Sequence, residues 1–584
     1  MRFLISLFLA LAAIFCVDRD AAPEENEITP PAESAWTEEA EVEVEEPLIP
    51  AYTDYDTAEF YRDCSELMAV LSMWPDEDAV NDTYDKLYAE YCRIDSLSQA
   101  AYLRYSLDVT DEIASADSVE AELRRAACAN ELCVACHAVM NGPNADSFAA
   151  HVGAEAAEYF RDYNELGSQE WELVERETEL VNEYYTALES VDGMSYEYGG
   201  QSWTAETLDS RAGDRLYETD YDGYCEVYYG ILEAQNETLG PIYIELVALR
   251  QQLAALAGYD SYADYAYACS FGRDYTPEDA ALFCEQVRQS VAGDYFGSVY
   301  YDPRSMGAEM QPDAETLIAL LGEYADDIAP AVQSAWEYLT ENGLYFIGGE
   351  DCRMDSSYTN LFPASGAPVI VQKLYGDSGD LATAAHEFGH FCAALKSPPP
   401  NYLSAAEDFD LLEIHSNGLE VLYTHFYNDM FGDAADDAVY AVLADQLGGV
   451  VDGCIFDEFQ RRVYAEPELT LDKVNRLYAQ VCREFGDEAV RDVDYGWMYV
   501  PHNFEQPFYY ISYAVSSLAA LQIWEQSLED FDAAADTWLR IVETGACGEG
   551  YQAVMENAGL ESFTASGAAD ICASVLAYMD AMEE

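Results

Sequence analysis

The stretch DLATAAHEFGHFCAALKSPPP, Asp380–Pro400, decides how this chain is read. Asp380 is a favoured N-cap residue, and Ser397 with the three prolines after it stops a helix. The segment therefore predicts about four helical turns ending at Lys396. Leu381, Ala384, Ala385, Phe388, Phe391, Cys392 and Leu395 recur at i, i+3, i+4 and i+7 spacing and form one apolar stripe. His386, Glu387 and His390 face away from that stripe. Thr383, Gly389, Ala393 and Ala394 beside them are small, which predicts room there for an ion and a substrate. Two imidazoles one turn apart can converge on one zinc ion, and the adjacent glutamate can hold the water that the ion activates. A bare five-residue match recurs by chance, so the assignment depends on a third ligand.

LLEIHSNGLEVLY, Leu411–Tyr423, supplies one. Glu413, Ser416 and Glu420 are spaced i, i+3 and i+7 and share a face of a second helix. Glu413 completes a set of two histidines and one carboxylate, leaving a fourth position for water. Glu420, two turns on, can accept the free N–H of a ligating histidine and orient it, with Ser416 supporting the same face.

Residues 367–375, APVIVQKLY, read as a strand before the helix, and an extended peptide could add to its edge. Further on lies YVPHNFEQPFYYISYAVSSLAALQIW, Tyr499–Trp524. His502 precedes a helical run carrying Tyr509, Tyr510 and Tyr513, whose i, i+3 and i+4 spacings cluster the rings. An imidazole and phenols directed at a carbonyl would stabilise its oxyanion. Only seven histidines occur in the chain, and His386, His390, His415, His425 and His502 fall within 117 residues.

HEFGH, then E-x-x-S-x-x-x-E, then H-x-x-x-x-P-F-Y-x-x-x-Y-A resembles the oligoendopeptidase F branch of the thimet oligopeptidase family of zinc peptidases. The segment Leu249–Phe283 is similar to that family's helical region ahead of the site. The resemblance implies a mainly α fold: a two-lobed helical gluzincin peptidase with a deep central channel and a small sheet beside the zinc-site helix. It implies zinc held by His386, His390 and Glu413, Glu387 as general base, and His502 with one or more of Tyr509, Tyr510 and Tyr513 on the oxyanion side. It also implies short unstructured peptides as substrates, cut at internal bonds. Family members often carry Y-x-Y-x-Y after PF where this chain has Tyr509-Tyr510-Ile511-Ser512-Tyr513, so Tyr513 aligns best. A related helical zinc carboxypeptidase or dipeptidase and a catalytically silent surface peptide-binding protein are the rival readings. The PFYYISYA run argues against the first and the intact Glu387 against the second.

The chain has 584 residues and a net charge of −86, from 112 acidic and 26 basic residues. Such a field excludes nucleic acid and anionic membrane surfaces as partners. Length alone suggests three or four domains, whereas the resemblance implies one helical unit. The expected organisation is a leader at 1–16, a disordered acidic tether at 17–50, a helical lobe at 51–200 and a catalytic lobe at 201–584. Met1–Cys16 is an apolar run behind one arginine and predicts export, either secreted or lipid-anchored through Cys16. YEYGGQSWT, Tyr196–Thr204, is expected as a break between lobes. CVACH, Cys133–His137, matches a c-type haem attachment motif, but it is single and lies in a helical stretch rich in Ala and Cys. Export would permit disulfides, although many of the 15 cysteines sit at apolar helical positions.

Overall fold

The computed structural model describes residues 47–163, 168–191, 193–404, 408–487, 489–545 and 549–582. The leader, most of the acidic tether and Cys16 lie outside the described residues. The chain is mainly helical, with one two-stranded and one three-stranded sheet.

After a short helix at Ala58–Glu66 comes an antiparallel pair, α1 (Glu77–Leu107) and α2 (Glu112–Met140). Asp76 and Asp111 cap the two helices by accepting from backbone N–H groups of their first turns. Cys133 and Cys136 of the CVACH motif are fully buried in this pair's apolar core with Leu132, Phe148 and Phe160. His137 spends both ring nitrogens locally, on the Phe160 carbonyl at 3.0 Å and the Asn141 amide at 3.1 Å. The motif is thus core helix. The 13 described cysteines are free thiols, most of them buried.

Next comes α3 (Ser168–Val191), which packs along the 36-residue α4 (Tyr221–Leu256). Between them the expected break is a β-hairpin, β1 (Tyr196–Tyr198) against β2 (Gln201–Trp203). Gly199 and Gly200 take φ of 63° and 80°, the left-handed pair that a two-residue hairpin turn requires.

The three-stranded sheet positions the site. Its order is β3 (Tyr345–Gly348), β5 (Ala367–Lys373), β4 (Tyr358–Phe362). The expected edge strand 367–375 is instead central, with β3 parallel on one side and β4 antiparallel on the other. Its Pro368–Gln372 run is buried, as a doubly covered strand requires. The edges belong to β3 and β4.

From β5 the chain turns into α5 (Gly379–Lys396). Asp380 does not cap this helix. It is buried inside the first turn, and its carboxylate accepts from the backbone N–H of Tyr375 at 2.9 Å and Gly376 at 2.8 Å. It therefore fixes the approach from strand to helix. α6 (Phe409–Tyr423) follows, capped by Asp408. The 31-residue α7 (Ala435–Ala465), the single-turn α8 (Pro501–Glu505) and α9 (Ile511–Glu529) complete the scaffold. Both α6 and α9 bury residues around nearly their whole circumference, the mark of internal helices.

Gly389 explains how α5 and α6 meet. A Cβ there would run into the His415 carbonyl oxygen and sit 2.7 Å from the Ser416 Cα, both on α6. The small residue expected to make room for an ion instead lets two backbones touch. Gly389→Ala is expected to push the helices apart and lower stability by about 1–3 kcal/mol. A thermal melt checks this; a midpoint unchanged from wild type would show that the crossing is loose.

Candidate functional site

His386 and His390 project from the exposed side of α5, one turn apart, with ring centroids 5.1 Å apart. Glu413 of α6 reaches between them. Its Oε2 lies 3.5 Å from His386 Nε2 and 3.8 Å from His390 Nε2. One ligand atom from each of the three side chains falls within 4.8 Å of the other two, the only such group of three or more among the described residues. Glu420, two turns along α6 from Glu413, places Oε2 3.4 Å from His386 Nδ1. That contact turns Nε2 of His386 towards Glu413. Ser416 donates to Glu413 Oε2 at 3.3 Å.

The charges agree with a cation-binding arrangement. Burial pulls the His386 imidazolium down, but Glu413 and Glu420 outweigh it and hold its pKa well above the ordinary histidine value. Burial, helped by the charge of His386, pushes His390 the other way, to about 4, despite Glu413. Burial raises Glu413, yet the two imidazoles beside it bring it down to about 2. A carboxylate set between two imidazoles is a site for a positive centre, and two nitrogens with one oxygen suit a borderline divalent metal ion.

Glu387 sits one residue from His386 but points to the sheet. It is 4% exposed, and the Thr359 hydroxyl of β4 donates to its Oε2 at 2.8 Å. Burial lifts its pKa to about 7, against the lowering effect of His386 and of the Thr359 bond.

These groups form one wall of a cavity of about 910 Å³. Residues 357–361, the edge strand β4 and the residue before it, flank that wall. Tyr509, Tyr510 and Tyr513 also line the cavity. The Tyr509 hydroxyl lies 3.4 Å from Glu413 Oε1, so this phenol is engaged with the carboxylate. Tyr513 packs edge-on against both other rings, at 5.2 Å from each. His502 backs the three rings at 4.9, 5.3 and 6.2 Å, and its Nδ1 is buried with no hydrogen-bond partner among the described residues. Burial holds it neutral, with a pKa near 4. All the residues that the sequence assigned to the site are therefore brought to one cavity or directly behind it.

Three features had no such assignment. Thr359 lies on a strand that the pattern concealed, and a lone threonine carries no signal. Asp445 and Asp452 of α7 line the cavity floor, and burial, with Asp445 beside it, lifts Asp452 to about 6. Their signal was Gly448, Gly449 and Gly453 inside a helix, since such glycines mark close approach. At Gly453 a Cβ would meet the Tyr510 carbonyl oxygen at 2.6 Å. Lastly, Phe508 takes φ of 73°, the one positive value at a non-glycine residue among those described. That turn rotates Tyr509 and Tyr510 to the cavity, at a strain of about 1–3 kcal/mol.

No family model and no curated protein matches this sequence. Solved structures do. A PZ peptidase A, solved with an inhibitor, superposes with a TM-score of 0.72 at 19% identity, covering 91% of this chain and 98% of its own. A Bacillus anthracis chain provisionally named oligoendopeptidase F gives 0.68 at 18% identity, covering 91% and 97%. An oligoendopeptidase F from Enterococcus faecium gives 0.56 at 14% identity, covering 90% and 97%. Over nine-tenths of its length, this chain is built on the fold of the oligoendopeptidase F and PZ peptidases.

Proposed function

We propose that this protein is a zinc-dependent endopeptidase that hydrolyses internal bonds of short, unstructured peptides. The observation that carries the reading is the convergence of His386, His390 and Glu413 beside a buried Glu387, in a cavity that three tyrosines also line. The apolar run Met1–Cys16 is the ground for proposing that this chemistry takes place outside the cytoplasm, with Cys16 as the anchor if the protein is lipidated.

His386, His390 and Glu413 would hold the metal, and Glu420 would fix the tautomer of His386. Bound there, zinc supplies the Lewis acidity that makes water a nucleophile at neutral pH and polarises a carbonyl. Glu387 takes the proton of the attacking water and returns it to the leaving amine. A base with a pKa near 7 can do both at neutral pH. Thr359 occupies its Oε2, which leaves Oε1 for the proton. His502 and Tyr513 donate to the carbonyl oxygen as it becomes an oxyanion. Tyr509 is tied to Glu413 and Tyr510 stands beside Tyr513, so these two complete the wall. The free edge of β4 offers backbone groups to an extended substrate, whose chain would then run past Glu387.

A pool of peptides of about 5–30 residues, incubated with the zinc-loaded protein and read by mass spectrometry, tests this function. Internal cuts are expected, and a chelator is expected to abolish them. Glu387→Gln is expected to lower kcat by about 10²–10⁴-fold with metal content unchanged. Cleavage that survives metal removal, or full activity of Glu387→Gln, would exclude the mechanism.

The acid limb of kcat/KM is expected to report Glu387, because activity is lost as the base takes up a proton. Thr359 lowers the pKa of this carboxyl. Thr359→Val should therefore move the limb to higher pH, with the alkaline limb in place. A limb that stays put would assign it to another group.

A further inference from the structure

Arg250 of α4 has no exposed surface, and its guanidinium is aimed at the carboxyl end of α8, the single turn that carries His502. Nη2 donates to the carbonyl oxygen of Phe504 and, at 3.3 Å, to that of Glu505. Nη1 donates to the Asn503 carbonyl oxygen and to the Tyr464 hydroxyl, at 3.5 and 3.4 Å. Nε donates to Glu177 of α3, itself buried. The last carbonyls of a helix have no partner inside it and carry its negative end. A forked cation is the group that satisfies several of them at once.

Other side chains of α3 hold the same loop. The Tyr184 ring stacks on Phe504 at 3.7 Å between centroids, and its hydroxyl donates to the Met498 carbonyl oxygen at 3.1 Å. The Tyr185 hydroxyl donates to the Glu505 carboxylate. From the other side, Gln460 of α7 accepts from the strained Phe508 N–H at 2.6 Å and donates to Asn503 Oδ1 at 2.7 Å. The segment from Met498 to Phe508 is thus gripped on both sides, and His502 is its one imidazole.

We infer that Arg250, held by Glu177, is a positioning residue for His502. Stability alone does not account for the pair, because a buried ion pair is commonly matched or bettered by apolar residues of the same volume. What apolar residues cannot do is fix three carbonyls in one orientation. With them fixed, the ring of His502 stays against Tyr509 and Tyr513. Without them the turn can rotate, and a shift of about 1 Å in such a group can cost about 10²-fold in rate.

This inference rests on the peptidase reading, and its test separates the two. Arg250→Lys and the double variant Glu177→Leu/Arg250→Met, which leaves no unpaired charge, are compared with wild type and His502→Phe. The expected result is a fall in kcat of about 10–100-fold with KM within about twofold, metal content unchanged, and no further loss when either change is added to His502→Phe. Hydrogen exchange at residues 501–508 should accelerate in both variants while α5 and α6 keep their protection. Losses that multiply with His502→Phe, or an unchanged kcat in a variant whose loop exchanges faster, would overturn the inference. If Arg250→Lys fails to fold, the double variant decides. If the wild-type protein cuts no peptide, the peptidase reading fails. The clamp then stands or falls on exchange at 501–508 alone, and unchanged rates there would refute it.

Discussion

The convergence of His386, His390 and Glu413 depends on one contact, the touching of the α5 and α6 backbones at Gly389. His386 and His390 lie on one helix and Glu413 on another, and a carboxylate side chain is short. Only a crossing without a side chain between the axes brings Glu413 Oε2 to 3.5 and 3.8 Å from the two imidazoles. The crossing is pinned from behind, where the Trp538 indole N–H donates to the His415 carbonyl oxygen at 2.9 Å. The same contact brings Glu420 to His386. A single glycine therefore sets both the three side chains and their orientation, and Glu413 can lie 23 residues from His390 in sequence.

The tyrosine wall is held differently. The tyrosines come from the start of α9, which the chain enters through a strained residue, Phe508. Strain of this kind persists only where neighbours over-determine it. Here the Phe508 ring packs against Tyr262, Tyr267 and Tyr464, and its N–H is taken by Gln460. One wall thus owes its geometry to a close backbone contact, and the other to aromatic packing around a turn that is unfavourable by itself.

The sequence revealed the site better than it revealed the frame. The convergence of His386, His390 and Glu413 was legible because helical spacing turns sequence distance into a face, and HEFGH with Glu413 and Glu420 needs nothing else. Long helices such as α1, α2 and α6 were legible for the same reason. β4 was not, because its Tyr-Thr-Asn-Leu-Phe run has little alternation and gains its strand character by pairing with β5. The role of Asp380 was misread because a capping residue and a residue that accepts from the preceding turn look alike in sequence. Gly389 was read as space for a ligand when it is space for a backbone, since a glycine shows that something comes close and not what. The hairpin at 196–203 was signalled by Gly199-Gly200 between alternating aromatics, and only its description as a break concealed it.

The distribution of cations carries the last step. Only 26 residues of this chain are basic against 112 acidic, so almost any arginine could find an anionic partner at the surface. Two are nevertheless buried in the scaffold of the site. Arg250 closes the end of α8, and Arg273 joins the two walls. Its Nη2 donates to Ser512 Oγ at the start of α9 at 2.9 Å, and its Nε lies 3.6 Å from Asp410 at the start of α6. Three aromatic rings, of Tyr267, Phe271 and Tyr275, surround that guanidinium within 5.6 Å of its carbon. Burying a charge costs several kcal/mol before any partner is counted, a cost that surface placement avoids. In a chain this acidic, one guanidinium ties the start of α6 to the start of α9, and the other holds the turn that carries His502. That placement makes geometry, more than net stability, the quantity these buried charges serve.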